Sequence, residues 1–269
     1  MHKRFFASFF ILHSSLLFLQ GQELKKVENS AFIRGEKFSF CAYYDSFITG
    51  KVTAGIATLE INAENKEFNG RKTYHATAKG KSKGAFNLFF KVEDQFETYF
   101  DEEYIVPWYF IRKTREGDYS RDDEVRFNQL SLSASSSTAN KKIPTGTQDI
   151  ISAFYFARTF DFSNVKVGEN FNITYFLDDS VYTAVIQFAG REEIGIDLGT
   201  FRCLKFKPMV VKGKVFSQPY AMDVWISDDK NHIPILAKSA VIVGAVKLEL
   251  VQYQNLANPV TSLISSQKN

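Results

Sequence analysis

Few side chains in this sequence are equipped for catalysis. The 269 residues include four histidines and two cysteines. His2 and His13 fall in an apolar N-terminal segment, which leaves His75 in the strand-like TYHATA and His232 in the turn DDKNHIP. Two isolated histidines do not make a metal centre, HExxH is absent, and Cys41 with Cys203 offers too few thiolates to hold zinc. No GxSxG elbow, Walker loop or GxGxxG turn is present. A serine or cysteine nucleophile would have almost no histidine to act as its base.

Carboxylates are the remaining chemical resource. Glu93-Asp94, Asp101-Glu102-Glu103, Asp122-Asp123-Glu124, Asp178-Asp179 and Asp228-Asp229 are the local groups. A glycosidase-like pair must face one substrate from two sides. These groups instead sit at turns, or along alternating strands where neighbours point to opposite faces, so they read as solvated charge. Asp228, Asp229 and Asn231 could offer oxygens to calcium, but the loop lacks EF-hand spacing and its closing glutamate. Asx side chains bonding their own turn explain it more simply. The expectation is no catalytic residue, no metal and no cofactor.

The side chains suited to an apolar ligand lie elsewhere. TQDIISAFYFAR, residues 147–158, carries apolar residues around nearly its whole circumference, the pattern of a buried helix. Thr145 stands at a cap position, Gln148 three residues later completes a capping-box spacing, and Asp149 suits the helix dipole. The spacing predicts a helix over about 147–160. Ahead of it, residues 131–146 (SLSASSSTANKKIPTG) are small and polar and read as a mobile loop. Trp108 in IVPWYF and Trp225 in MDVWISDD are the large amphipathic anchors. Trp225 shares a strand face with Asp223 and Ser227, opposite Met222, Val224 and Ile226. Ile150, Phe154, Tyr155, Trp108 and Trp225 are therefore the candidate ligand-binding residues.

Almost everything else reads as strand. Aromatics make up 15% of the chain, which suits pleated, half-buried surfaces. Val92, Asp94, Phe96, Thr98 and Phe100 take one face of an alternating segment; Asn69-Gly70 and Asp178-Asp179-Ser180 mark hairpins; Pro107 belongs at an edge or bulge. About a dozen strands at intervals of roughly 8–12 residues are the density of a sandwich or barrel. The expected architecture is mainly β: a single strongly curved antiparallel sheet, a half-barrel or open barrel, around one buried helix. One domain over 22–255 is expected, with a frayed polar tail at 256–269.

The N-terminal MHKRFFASFFILHSSLLFLQGQ pairs Lys3 and Arg4 with an apolar run from Phe5 to Leu19 and a small residue, Gly21. This is the layout of a secretory signal over 1–21, and the run is too short and too polar for a good membrane span. Without Lys3 and Arg4 the charge falls from 33 basic against 30 acidic residues to a net of +1. Nucleic-acid binding, which rests on clustered basic charge, is not expected. KGKSK, residues 79–83, is the one basic tract that could meet an anionic surface. Export also permits a disulfide between Cys41 and Cys203, although free, buried thiols are the simpler reading.

FIRGEKFSFCAYYDSFITGKVTAG, GRKTYHATAKGKS, FFKVEDQFETYFD, TREGDY, TQDIISAFYFAR, GTFRCLKFKP and MDVWISDDKNHIPILAKSAVIVGAVKLEL follow one another in this order. Together they resemble the exported domain-of-unknown-function family 3108 over roughly residues 31–253. That resemblance implies a location in the periplasm or cell envelope and carries over no catalytic residue. VWISDDKNHIPILAKSA is more distantly similar to a hairpin of periplasmic lipoprotein carriers, half-closed barrels whose helix-covered concave face holds acyl chains. The resulting expectation is a non-enzymatic periplasmic module for an apolar or lipidic ligand. A structural factor acting through an envelope protein partner is the alternative, and a carboxylate-based envelope hydrolase is a third reading.

Overall fold

The computed structural model of the protein describes residues 24–46, 50–64, 66–209, 222–240 and 245–266. The expected signal lies outside them. In chain order come β1 (Lys37–Ser46), β2 (Gly50–Ile61), β3 (Lys66–Phe68), β4 (Arg71–Ser82), a single helical turn α1 (Phe86–Phe89), β5 (Glu93–Asp101), β6 (Pro107–Glu116), β7 (Tyr119–Asn128), β8 (Ser133–Ser135) and β9 (Asn140–Lys142). Helix α2 (Ile150–Arg158) follows, then β10 (Asn170–Leu177), β11 (Ser180–Ile196), β12 (Gly199–Pro208), β13 (Met222–Ser227), β14 (Pro234–Ala240), β15 (Ala245–Gln254) and β16 (Leu263–Ser266).

The strands form one antiparallel sheet in the order β10-β11-β12-β13-β14-β15-β1-β2-β4-β5-β6-β7-β8-β9, with β3 on β4 and β16 on β12. Local sequence explains the tight turns. Asn69 and Gly70 both have positive φ (52° and 72°), and Phe68 opposes Arg71 across them. Asp178 and Asp179 do the same at φ 50° and 58° between β10 and β11. Pro107 opens β6 opposite a bulge between Tyr99 and Phe100, where its missing N–H costs no ladder bond. Further bulges in β1, in β11 beside Gly190 and in β13 bend the sheet.

The curvature brings the two ends of the sheet close without closing the ladder. Gln148 makes a lone parallel bridge with β10: its N–H donates to the Thr174 carbonyl (2.9 Å), and the Phe176 N–H donates to its carbonyl (2.8 Å). Phe176 packs with Phe110, Val125, Phe127 and Ala134 from the opposite edge. Arg112 reaches Asp178 at 2.5 Å, and Ser136 and Thr138 donate to Asp179 at 2.6 and 2.5 Å. The open-barrel expectation is met, and α2 lies in its concave face against β5 and β10.

Four local expectations are corrected. Residues 131–146 contain the β8–β9 hairpin, anchored through Asp179, where a mobile loop was expected. The tail is docked over its described residues, 256–266: β16 pairs with β12, and Ser262, fully buried, bonds Asp229 at 2.7 Å. Gly199, at φ 138°, accepts that strand so closely that a Cβ would strike the Ser265 carbonyl. Helix α2 is shorter than expected, and its cap is Asp149, because Gln148 is engaged with β10. Its circumference is also not uniformly buried: Ser152, Tyr155 and Arg158 are sealed, while the other side chains are half-buried. Cys41 and Cys203 are free, and burial pushes the Cys203 thiol up to about 12.

Candidate functional site

The site grows from the two ends of α2. At its start, the Asp149 carboxylate accepts from the backbone N–H groups of Ile151 (2.7 Å) and Ser152 (2.9 Å), and the Ser152 hydroxyl accepts from the Asp149 N–H (2.9 Å). Thr98 on β5 donates to the same carboxylate at 2.5 Å. Complete burial pushes the Asp149 carboxyl up to about 6, against these hydrogen bonds, which favour the charged form. At the other end the Arg158 guanidinium makes a two-pronged, fully buried pair with Glu36 at 2.5 and 2.8 Å and donates to the carbonyls of Ala31 and Asn231. Burial raises the Glu36 carboxyl from its ordinary value against the pull of Arg158. The Arg158 carbonyl accepts from His232 Nδ1 at 2.8 Å, and burial lowers this histidine. The helix is thus clamped to β5 and to the 31–36 segment.

Between the clamps the apolar residues divide. Tyr155 is sealed among Phe32, Phe100, Ile61 and Ile105, with its ring stacked on Phe100 at 5.3 Å and edge-on to Phe32 at 4.9 Å. Its hydroxyl has no hydrogen-bond partner among the described residues. Phe154, one position earlier, borders two hollows. One, about 330 Å³, is walled by Phe40, Leu59, Ala78, Phe96, Ile151, Leu236 and Leu248. The other, about 270 Å³, is walled by Ile150, Ala153, Phe160, Phe171, Ile173, Ile186, Phe206 and Ile226. Phe154 and Val224 line both, so the hollows adjoin across that pair. No carboxylate pair faces a substrate-sized gap here; the nearest acid on a wall is Asp94, at the rim of the first hollow.

The carboxylate groups of the sequence have structural partners. Asp101 is held by Arg71, by the Trp108 indole N–H at 3.0 Å and by the backbone N–H of Glu103, and these bonds keep it below the usual carboxylate range despite its burial. Asp122 pairs with Arg115, Asp123 with Arg112 and Arg121, and Asp228 with Arg191. Asp229 braces its own turn through Ser227 and Asn231. His75 is stacked on Tyr99 at 4.2 Å and bonded to Glu97 at 2.9 Å. Among the described residues no three histidine, cysteine or carboxylate groups could share a metal.

The match to a protein family of unknown function, DUF3108, spans residues 40–251. The chain belongs to that family. No curated protein matches it. Among solved structures it resembles a β-barrel-like protein of another domain of unknown function, DUF1849, from Brucella abortus, at 10% identity with a TM-score of 0.54, over 86% of this chain and 99% of that one. A Bacteroides fragilis protein with a YmcC-like fold aligns at 11% identity with a TM-score of 0.38, over 86% and 100% of the two chains. The first likeness shows the barrel-like fold.

The DUF3108 segment contains α2 and every wall residue of both hollows, whereas Glu36, the partner that fixes Arg158, precedes it. Of the five residues singled out from sequence, Ile150 and Phe154 meet at the hollows. Tyr155 is sealed in the core. Trp108 is bound to Asp101, and Trp225 lies under Lys205 (4.7 Å) with its N–H on Glu192 at 2.5 Å. These three do not line either hollow. The walls that sequence reasoning missed, including Val224, Phe206, Leu248 and Phe40, are inward positions of separate strands. Their alternation was visible, but their convergence depends on sheet curvature.

Proposed function

We propose that this DUF3108 protein is an exported, non-enzymatic binding module of the cell envelope, holding an apolar or lipidic ligand between α2 and the concave face. What supports the reading is Phe154, a large apolar side chain left half-buried between two apolar hollows on a helix clamped at both ends. Sites for small molecules run to roughly 300–1,000 Å³, and an acyl chain needs few polar partners. Ile150 and Phe154 are assigned to the ligand; Tyr155, Trp108 and Trp225 frame the site. The basic-then-apolar N-terminal segment supports export. The alternative, an assembly factor acting through a protein partner, draws on the exposed edge Asn140–Lys142. Lys141 and Lys142 there discourage strand addition, which favours the ligand reading.

The test is native mass spectrometry of protein purified from a Gram-negative periplasm without detergent, followed by lipid extraction. Bound lipid in the wild type, lost in a folded Phe154→Asp protein, is the expected result. An apo mass in every preparation, with no uptake of added fatty acid or phospholipid, overturns the reading.

A further inference from the structure

Among the described residues, the most exposed large apolar side chains lie on the β4–β5 turn. Leu88 is 83% and Phe89 87% exposed, and Phe90 beside them is 45% exposed. The turn that carries them is held in place by many bonds. The Phe90 N–H donates to the Phe86 carbonyl (2.9 Å), the Lys83 N–H to Ala54 on β2 (2.8 Å), and the Gly117 N–H of the β6–β7 turn to Lys91 (2.8 Å). Ser82 bonds Asn87 at 2.5 Å and accepts from the Val92 N–H at 2.9 Å. Phe90 lies on Gly117, where a Cβ would come within 3.0 Å of its ring. Two apolar side chains are thus presented to solvent by a braced backbone, which is unusual for a surface with no partner.

The charged groups next to the tip in the chain are lysines. Lys83 and Lys91 flank the tip directly, with Lys81 two positions earlier near the end of β4, and all three are exposed. Acids stand among them: Glu93 on β5 opposes Lys81 and pairs with Lys91 at 3.6 Å, Asp94 follows it, and Glu116 is bridged to Val92. An apolar point flanked by Lys83 and Lys91, with the basic tract Lys79–Lys83 leading into it, matches the boundary of a bilayer with anionic headgroups, where the point enters the acyl region and the ammonium groups meet phosphate. A specific protein interface needs roughly 800 Å² from each partner, more than one projecting turn supplies.

We propose that the β4–β5 turn, residues 83–91, docks the protein on an anionic phospholipid surface by inserting Leu88 and Phe89 into the bilayer interface. The inference stands whether or not the hollows carry a ligand. Where both hold, Ala78, Lys79 and Gly80, on the strand leading to this turn, also wall the first hollow, so docking brings that hollow toward the membrane.

Vesicle flotation tests it, with phosphatidylethanolamine and phosphatidylglycerol in a three-to-one ratio against phosphatidylcholine alone. The wild type is expected to float with the anionic vesicles and to be released by salt. Leu88→Ser with Phe89→Ser, at sites exposed enough to leave folding intact, is expected to lower partitioning roughly tenfold or more. Lys81→Gln, Lys83→Gln and Lys91→Gln together remove the preference for anionic lipid. A Leu88→Trp reporter shifts its emission to the blue on anionic vesicles. The proposal is overturned if the serine variant floats as the wild type does, or if the tryptophan emission stays unchanged. It is also overturned if the serine substitutions convert a dimer to a monomer while the wild type ignores vesicles, which would assign the turn to a second copy of the chain.

Discussion

Phe154 and Tyr155 are neighbours on one helix, both large and aromatic, and they live in opposite surroundings. Tyr155 stands among four ring or branched side chains with no room beside it, and it gives up its hydroxyl's hydrogen bond to be there. Phe154 touches the same cluster with one edge, at 5.3 Å from Tyr155, and leaves the rest of its surface to two hollows. The difference teaches where this fold keeps its stability and where it keeps its freedom. The side of α2 that carries Tyr155, against Phe32, Ile61 and Phe100, is core, closed by burial and by the Asp149 and Arg158 clamps. The side that carries Phe154, toward the two hollows, is underpacked, so a guest could replace missing neighbours there without dismantling the domain.

The largest effect that would break this contrast comes from the clamp. Arg158→Met strands Glu36 in a fully buried position, and urea denaturation is expected to show a loss of about 3–5 kcal/mol. Pairing it with Glu36→Gln recovers much of that loss, since the uncompensated charge is gone. A wild-type-like Arg158→Met midpoint would mean that the clamp is not what seats the helix.

The contrast itself is read by two truncations. Tyr155→Ala empties a packed site and is expected to cost about 3–5 kcal/mol, whereas Phe154→Ala, already beside open space, costs about 1 kcal/mol. Equal costs in the same denaturation series would erase the distinction between the two sides.

A further effect, confined to a narrow window, lies in pH. Asp149 is raised by burial to about 6, above its ordinary value of 3.8, so the folded state holds its proton more tightly than the unfolded chain. Its contribution is therefore greatest below about pH 4, declines as pH rises to about 6 and is constant above. Asp149→Asn keeps an oxygen for the cap and removes this term. The stability difference between variant and wild type should move in the variant's favour across that window, by up to about 3 kcal/mol. A difference that stays flat from pH 4 to 7 would show that Asp149 is ionised in the core. Glu97, Asp101 and Glu192, which are held low by their partners, act in the opposite sense, so only the difference isolates Asp149.

Hairpins were legible because their cause is local. Asn69-Gly70 and Asp178-Asp179 favour positive φ wherever they stand, and alternation along 92–100 sorted Phe96, Thr98 and Phe100 onto the face that packs inward. Asp149 as cap was not legible, because Thr145 and Gln148 fit the same rule until Gln148 is drawn into a bridge with β10. The 131–146 segment was misread for a similar reason: its small polar residues bury little, and what anchors them is Asp179, more than forty positions away. Arg158 could have been noticed as the one charge on a greasy helix, but its partner Glu36 is 122 residues distant.

The amino-acid sequence by itself determined the β character, the turns, the one apolar helix, the poverty of catalytic groups and the membership of DUF3108. Each of these rests on residue type or on spacing within a few positions. Only the tertiary structure decided that Phe154 faces space while Tyr155 does not, that neither tryptophan lines a hollow, and that Leu88 and Phe89 stand in solvent. Those outcomes depend on how far a bulged sheet curls around a clamped helix, which is the sum of contacts between residues from about twenty to more than a hundred positions apart.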